Sequence, residues 1–269
     1  MTMTTVQLGW VDLAFAGALL CINALISVAF RLRLEMPLLV AAARMVVQLT
    51  AVGFVLKFVF EQTSPLWTCG VALLMAGVAG YELIARQERH FKSWLTFGLG
   101  SGTLLLVGAI GTLYAAAIVI GPTPWYAPRY ILPILGMVLG NALTSASLVL
   151  QIMSDAADRE RAGIEARLAL GETRFTAFSG LLSRAMRLAM TPLLNTMSVA
   201  GVVALPGMMT GQILAGADPT SAAKYQIMIM FILTGASGLG ALLAAFGGLL
   251  LLTDGRHRLR LDRLVAKSG

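Results

Sequence analysis

Apolar residues dominate the chain in seven long runs, at roughly Leu8–Phe30, Pro37–Phe60, Leu66–Ala85, Leu95–Ile120, Ile131–Met153, Leu188–Leu214 and Tyr225–Leu252. A helix needs ~20 apolar residues to cross the hydrocarbon of a bilayer, and every run meets that length. The pattern predicts an all-α, polytopic membrane protein with about seven transmembrane helices. Residues 154–187 break the rhythm, because charges return there without losing a helical period. They predict a helical cytoplasmic loop within a single transmembrane domain spanning 1–269.

Inside that loop Ile164, Leu168, Gly171, Phe175, Phe178 and Leu182 are spaced 4, 3, 4, 3 and 4, one stripe on a helix. Glu165, Arg167, Glu172 and Arg174 lie off the stripe and face water or a partner. Two readings are open. The stripe can rest on the bilayer interface as an amphipathic surface helix, or the segment can be gripped by a soluble subunit. Gly171 invites a bend, and the small residues Ala162, Gly163, Ala166 and Ala169 allow close approach of another backbone. Were the helix continuous, Leu at position 171 would extend the stripe and strengthen it.

Charge then sets direction. Of the 20 Lys and Arg residues, 16 follow the first, third, fifth and seventh runs: Arg31 and Arg33; Arg86, Arg89 and Lys92; Arg159, Arg161, Arg167, Arg174, Arg184 and Arg187; Arg256, Arg258, Arg260, Arg263 and Lys267. The positive-inside bias puts those segments in the cytoplasm, the N-terminus outside and the C-terminus inside. The net charge of +7 is thereby a matter of topology, and no nucleic-acid partner is expected. No basic residue precedes the first run, so it is not expected to be a cleaved signal. The two cysteines, Cys21 and Cys69, read as small core residues.

At 12% charged residues against about 25% in soluble domains, the chain excludes most aqueous chemistry. It carries no Gly-rich phosphate loop of the P-loop kind, since no Gly is followed by Lys. His90 and His257 are the only histidines and sit in basic segments, so no paired-His metalloprotease site is available. An enzyme with its own active site is not expected, nor a cofactor bound in this chain.

Polar groups inside the apolar runs are few. Arg44 and Gln48 share one helix face; Arg44 either snorkels to the surface or lines a path. Asn141 and Ser145 lie in the fifth run, and Asn195, Met208 and Met209 in the sixth. These either glue helices together or line a transport path. Glu82, Asp218 and the thioethers of Met137, Met197, Met208 and Met209 are the scarce candidate metal ligands, and the sequence does not select among them. Pro206–Gly207 predicts a kink in the sixth run, where a gating motion would be placed.

The loop motif E-A-R-L-A-L-G (Glu165–Gly171) resembles the E-A-A-x-x-x-G motif of ABC-transporter permeases, with Arg167 in place of the second Ala. The I-x-L-P continuation of binding-protein-dependent importers is missing: Leu181, Ser183 and Arg184 stand there, and the next Pro is Pro192. Longer stretches, L-G-M-V-L-G-N-A-L-T-S-A-S-L (135–148), R-L-A-L-G-E-T-R (167–174), T-P-L-L-N-T-M-S-V-A-G-V-V-A-L-P-G-M-M-T-G-Q-I-L-A-G-A-D-P (191–219) and A-R-M-V-V-Q-L (43–49), resemble the FetB-type iron-export permeases, to which plant aluminium-tolerance half-transporters are similar. The resemblance implies a homodimeric ABC exporter subunit in the bacterial inner membrane, associated with iron homeostasis. It docks two copies of an ATPase through Glu165, Ala166, Arg167, Gly171 and Arg174, and ATP and Mg are bound by that partner. The alternatives are a stand-alone carrier or channel, or an exporter of a non-metal substrate such as the nucleotide-sugar associated with plant members.

Overall fold

The computed structural model describes residues 9–61, 64–87, 89–91, 94–121 and 124–266. Leu8, Lys92 and Lys267, used in the topology argument, lie outside the described residues. The chain is an all-α polytopic membrane protein. Among the described residues, six helices are long and apolar enough to cross a membrane.

Two compact units are present, one comprising Met1–Thr63 with Gln212–Ala217, the other Ser64–Gly211 with Asp218–Gly269. In the first, α1 (Trp10–Ala29) and α2 (Glu35–Glu61) are joined by a tight turn. Ser27 Oγ donates to Glu35 Oε2 at 2.7 Å and accepts from the Leu34 N–H at 2.8 Å, closing that turn. Arg31 and Arg33 adopt φ of 54° and 58° within it.

The second unit holds α3 (Pro65–Ala85), α4 (Trp94–Leu113), α5 (Pro128–Arg159), α6 (Arg161–Ala169), α7 (Arg174–Val199) and α9 (Pro219–Leu252). α4 continues as a π-helical segment over Tyr114–Ile120. α8 (Gly207–Leu214) lies across the boundary between the units in sequence. Helix starts follow local chemistry. Pro opens α3, α5 and α9, where a missing N–H costs nothing, and the Asp218 carboxylate accepts the Ser221 N–H at 2.8 Å as the α9 cap.

Small residues let these helices approach closely. A Cβ on Gly80 would lie 2.5 Å from Ser101 Cβ, and one on Gly100 would lie 2.6 Å from Leu83 Cδ2, which registers α3 against α4 in antiparallel order. Gly240 meets Ala142 and Gly248 meets Leu150, so α5 and α9 run parallel. One apolar cluster, including Leu83, Leu104, Val138, Ala142 and Leu233, ties α3, α4, α5 and α9 together. A second, including Met153, Ile164, Phe178, Leu181 and Leu249, joins the ends of α5 and α9 to α6 and α7.

The sixth predicted run requires correction. Leu188–Leu214 is not one helix: α7 stops at Val199, residues 200–206 form a turn, and only then does α8 begin. Gly201 at φ +84° breaks the right-handed geometry, and Pro206 has no N–H to continue it. The expected kink at Pro206–Gly207 is therefore part of an interruption. Thr234 Oγ1 on α9 donates to Met197 Sδ at 3.0 Å, and Met190 Cε lies 3.8 Å from the Cβ position of Gly238. α7 thus runs antiparallel to α9 and ends level with the middle of it. Cys21 and Cys69 are exposed and do not belong to the core.

The residues after α9 fold back. β1 (Arg89–Phe91), which follows α3, pairs antiparallel with β2 (Leu264–Ala266), with His90 opposite Val265. The ends of α3 and α9 therefore lie at one end of the unit.

Candidate functional site

The continuous stripe predicted over 164–182 is two helices with a sharp bend between them. α6 ends in a glycine cap. The Gly171 N–H donates to the Leu168 carbonyl at 3.1 Å and the Glu172 N–H to the Arg167 carbonyl at 3.2 Å, with Gly171 at φ +90°. This paired arrangement satisfies carbonyls that the helix end leaves orphaned, and it requires a left-handed residue. Thr173 then caps α7, its Oγ1 accepting the Thr176 N–H at 3.3 Å. The apolar stripe still finds the interior where the bend allows. Ile164 and Phe178 are buried, whereas Phe175 is exposed.

Of the loop residues, Glu165 and Ala166 are exposed on α6. Glu165 accepts a 2.9 Å hydrogen bond from Arg161 one turn earlier. Arg167 turns inward instead. Its Nε donates to Glu172 Oε2, its Nη1 to the Ala177 carbonyl and its Nη2 to the Thr176 carbonyl, each at 2.9 Å. Three charge-assisted bonds from one planar fork lock α6 to the first turns of α7. Arg174 opens α7, with its guanidinium 5.3 Å from the Phe175 ring. The outward face of α6 is left small and apolar: Ala162, Gly163, Ala166 and Ala169 are exposed, and beside them Leu170 is 84% exposed.

The residues after α9 complete this face. Thr253 bridges to Leu259, and between them the Asp254 carboxylate accepts the backbone N–H groups of Arg256 and Arg258 at 2.9 Å, and Arg258 Nε at the same distance. His257 Nδ1 accepts the Arg174 N–H at 3.2 Å, satisfying one of the orphan donors of the α7 start. The ends of α3, α5 and α9, with three of the four basic segments, thus meet at one end of the unit. Sequence reasoning overlooked Asp254 and His257. The Asp254–Gly255 dipeptide was the available signal, since Asp in a turn bonds backbone groups two residues on.

Bonding to the Arg258 N–H, aided by its guanidinium and by the Arg256 N–H, holds the Asp254 carboxyl down at about 2 from its ordinary 3.8. A carboxyl lowered on folding stabilises the folded turn above its unfolded pKa, and that contribution is lost as pH falls from near 4 through about 2. The turn should accordingly be indifferent to pH between 5 and 8. Asp254→Asn should instead open it at any pH, seen as several-fold faster tryptic cleavage at Arg256 and Arg258 at neutral pH. Equal cleavage of both proteins would refute that role for the carboxylate.

A second feature lies between the helices. A cavity of about 270 Å³ is lined by Asn141, Thr144 and Ser145 of α5, Pro192 and Thr196 of α7, and Met230 of α9, among others. Asn141 Nδ2 donates to the Met137 carbonyl at 2.9 Å, so its carbonyl oxygen remains for the cavity. Pro192 cannot donate to the Leu188 carbonyl, which leaves that oxygen without its helical partner. The cavity is thus lined by the neutral polar side chains of Asn141, Thr144, Ser145 and Thr196 in an otherwise apolar setting. Asn195 is not brought into it. With Thr191 and Ser198 it forms an exposed polar stripe on another face of α7, where the two hydroxyls bond back to the Arg187 and Leu194 carbonyls. Arg44 and Gln48 are exposed on α2 in the other unit. Met208 and Met209 are half-buried at the start of α8, Met208 against the larger apolar cluster. No group of three His, Cys, Asp or Glu able to hold a metal ion occurs among the described residues.

Residues 10–250 match the family described as Uncharacterised protein family (UPF0014). A UPF0014 membrane protein of Synechocystis sp. is 36% identical over 231 residues, covering 85% of this chain and 87% of that one. The UPF0014 membrane protein STAR2 of Oryza sativa subsp. japonica is 33% identical over 231 residues, 86% of this chain and 79% of its own. The probable iron export permease protein FetB of Escherichia coli is 31% identical over 256 residues, 95% of this chain and 96% of its own. No solved structure matches.

Proposed function

The chain belongs to the UPF0014 family of membrane proteins, and from that premise we propose that it is the membrane-spanning subunit of an ABC exporter. It acts as a homodimer with two copies of a separate ATPase, which bind ATP and Mg, and it moves iron out across the bacterial inner membrane. The E. coli relative, named a probable iron export permease, supports the cargo. The observation that carries the ATPase is α6, whose exposed small and apolar face (Ala162, Ala166, Ala169, Leu170) suits a groove on a soluble subunit. Orientation follows the positive-inside bias, with the N-terminus outside and the Arg-rich end in the cytoplasm.

Coupling then follows from the bonds described. A displacement of α6 passes through the Arg167 fork to α7. α7 carries Pro192, Thr196 and Asn195 and ends at the interruption over residues 200–206. Irregular backbone at membrane depth is tolerated only where it is buried in protein or lines a water-filled cavity, and broken helices of this kind flank substrate sites in carriers. The cargo route accordingly runs beside α7, with Asn141 and Ser145 on α5 as polar contacts at the cavity, Asn195 as a polar contact on the separate exposed face of α7, and Pro206–Gly207 at the moving joint. Met208 and Met209 are further contacts on this reading.

The test is co-purification of the chain with a Walker A protein encoded beside it, followed by ATP-dependent Fe(II) uptake into inside-out vesicles. Asn141→Leu and Asn195→Leu should insert and keep the ATPase yet lower uptake at least several-fold. Uptake by the pure chain without ATP would overturn the ABC reading in favour of a stand-alone carrier. A cytoplasm-dependent reporter should be active at Ser154–Arg187 and silent at Thr123, which lies outside the described residues.

A further inference from the structure

α6 does not stand alone at the Arg-rich end. A cleft of about 410 Å³ separates it from the turn that follows α9. One wall is Glu165, Leu168 and Ala169; the other is Arg256, His257 and Leu259, with Arg258 beside them. Leu168 and Leu259 both pack against the apolar cluster that holds Ile164 and Phe178, so the cleft has a fixed, apolar floor. Its rim is polar, and most of its charges are already spent. Glu165 is paired with Arg161 at 2.9 Å, and Arg258 with Asp254 at 2.8 Å. Arg256 is exposed, and its guanidinium has no ion-pair partner among the described residues. His257 accepts the Arg174 N–H at Nδ1, so the neutral ring carries its proton on Nε2 and can donate it outward.

We propose that the ATPase docks on a composite surface in which this cleft, with the turn Asp254–Leu259 as its second wall, receives a segment of the ATPase bearing an apolar side chain followed by a carboxylate. The apolar side chain fills the space between Leu168, Ala169 and Leu259, and the carboxylate meets Arg256 and His257 Nε2–H. This rests on the ATPase-docking reading above and extends it to residues beyond the loop. Charge complementarity selects the occupant. The uncompensated group on the rim is a cation, and a bidentate Arg–carboxylate contact supplies both geometry and attraction. The position of the turn is itself held by the start of α7, through His257, so docking there grips α6 and the first turn of α7 together.

The experiment uses the full chain co-expressed with the Walker A protein that wild type retains. Arg256→Glu should cut ATPase retention at least tenfold, because like charges across an interface repel, while Arg256→Lys, which keeps the charge but not the fork, should lose only part of it. The exposed position of Arg256 leaves folding untouched. A photo-crosslinking residue at position 256 should join the ATPase, and the same residue at the exposed Trp125, on the segment before α5, should not. If wild type retains the ATPase while Arg256→Glu retains it equally and position 256 yields no crosslink, the composite surface is wrong and α6 acts alone. If wild type retains no ATPase, the docking reading itself fails and this surface with it.

Discussion

Gly80→Ala should lose most of its folded, monodisperse protein, while Gly77→Ala, one turn away on the same helix, should not. The added Cβ at Gly80 would lie 2.5 Å from Ser101 Cβ and 2.7 Å from its Cα, whereas nothing lies within 4 Å at Gly77. Neither opposing atom belongs to a side chain that can swing aside, so α3 and α4 must part. Overpacking of this kind costs about 1–3 kcal/mol, and here it strikes the seam under Leu83 and Leu104. At Gly77 the same change lowers backbone entropy in the unfolded chain and is neutral or favourable by a few tenths to about 1 kcal/mol. Thermal shift and fluorescence size exclusion in detergent measure both. Identical behaviour of the two variants would show that α3 and α4 are not packed as described.

Gly171→Leu should lower function about tenfold without lowering membrane levels, and Gly171→Asn should keep much of it. On a continuous helix Leu would have been the better residue. At φ +90° it is not, because a Cβ in left-handed geometry costs roughly 1–2 kcal/mol, and Asn tolerates that geometry best among residues with a side chain. Nothing lies within 4 Å of the position, so the penalty is one of backbone and not of volume. About 1.4 kcal/mol is tenfold in an equilibrium; ATPase retention and Fe(II) uptake should fall by that order for Leu and far less for Asn. If Leu and Asn behave alike, the bend is not what the partner requires.

Much of this architecture was readable in the order of residues. α3 runs from Pro65 to Ala85, within one residue of the apolar run Leu66–Ala85. The sixth run misled, because hydropathy counts side chains and is blind to backbone: Val199 to Leu205 is as apolar as any helix yet turns at Gly201. Arg167 misled for a different reason. A charge off the apolar stripe looks outward on its own helix, and only the fold shows that α7 supplies two carbonyls within reach of its fork. The polar cavity was half legible. Asn141 and Ser145 stood out as polar residues in an apolar run, but the inclusion of Thr196 and the exclusion of Asn195 depend on how α7 is rotated against α5.

The clasp between β1 and β2 has a consequence for biosynthesis. Its two strands are separated in the chain by everything from α4 to α9, so β1 emerges from the ribosome long before its partner strand exists. Contacts so distant in sequence form late. During synthesis the helices can enter the membrane one after another while the Arg-rich end stays unfinished, with the α7 start lacking its histidine acceptor and the cleft lacking its second wall. On the docking proposed above, a nascent chain is therefore a poor landing site. The cleft gains its second wall only once the turn after α9 has been made, so the proposed docking would itself report that the helices before it are in place.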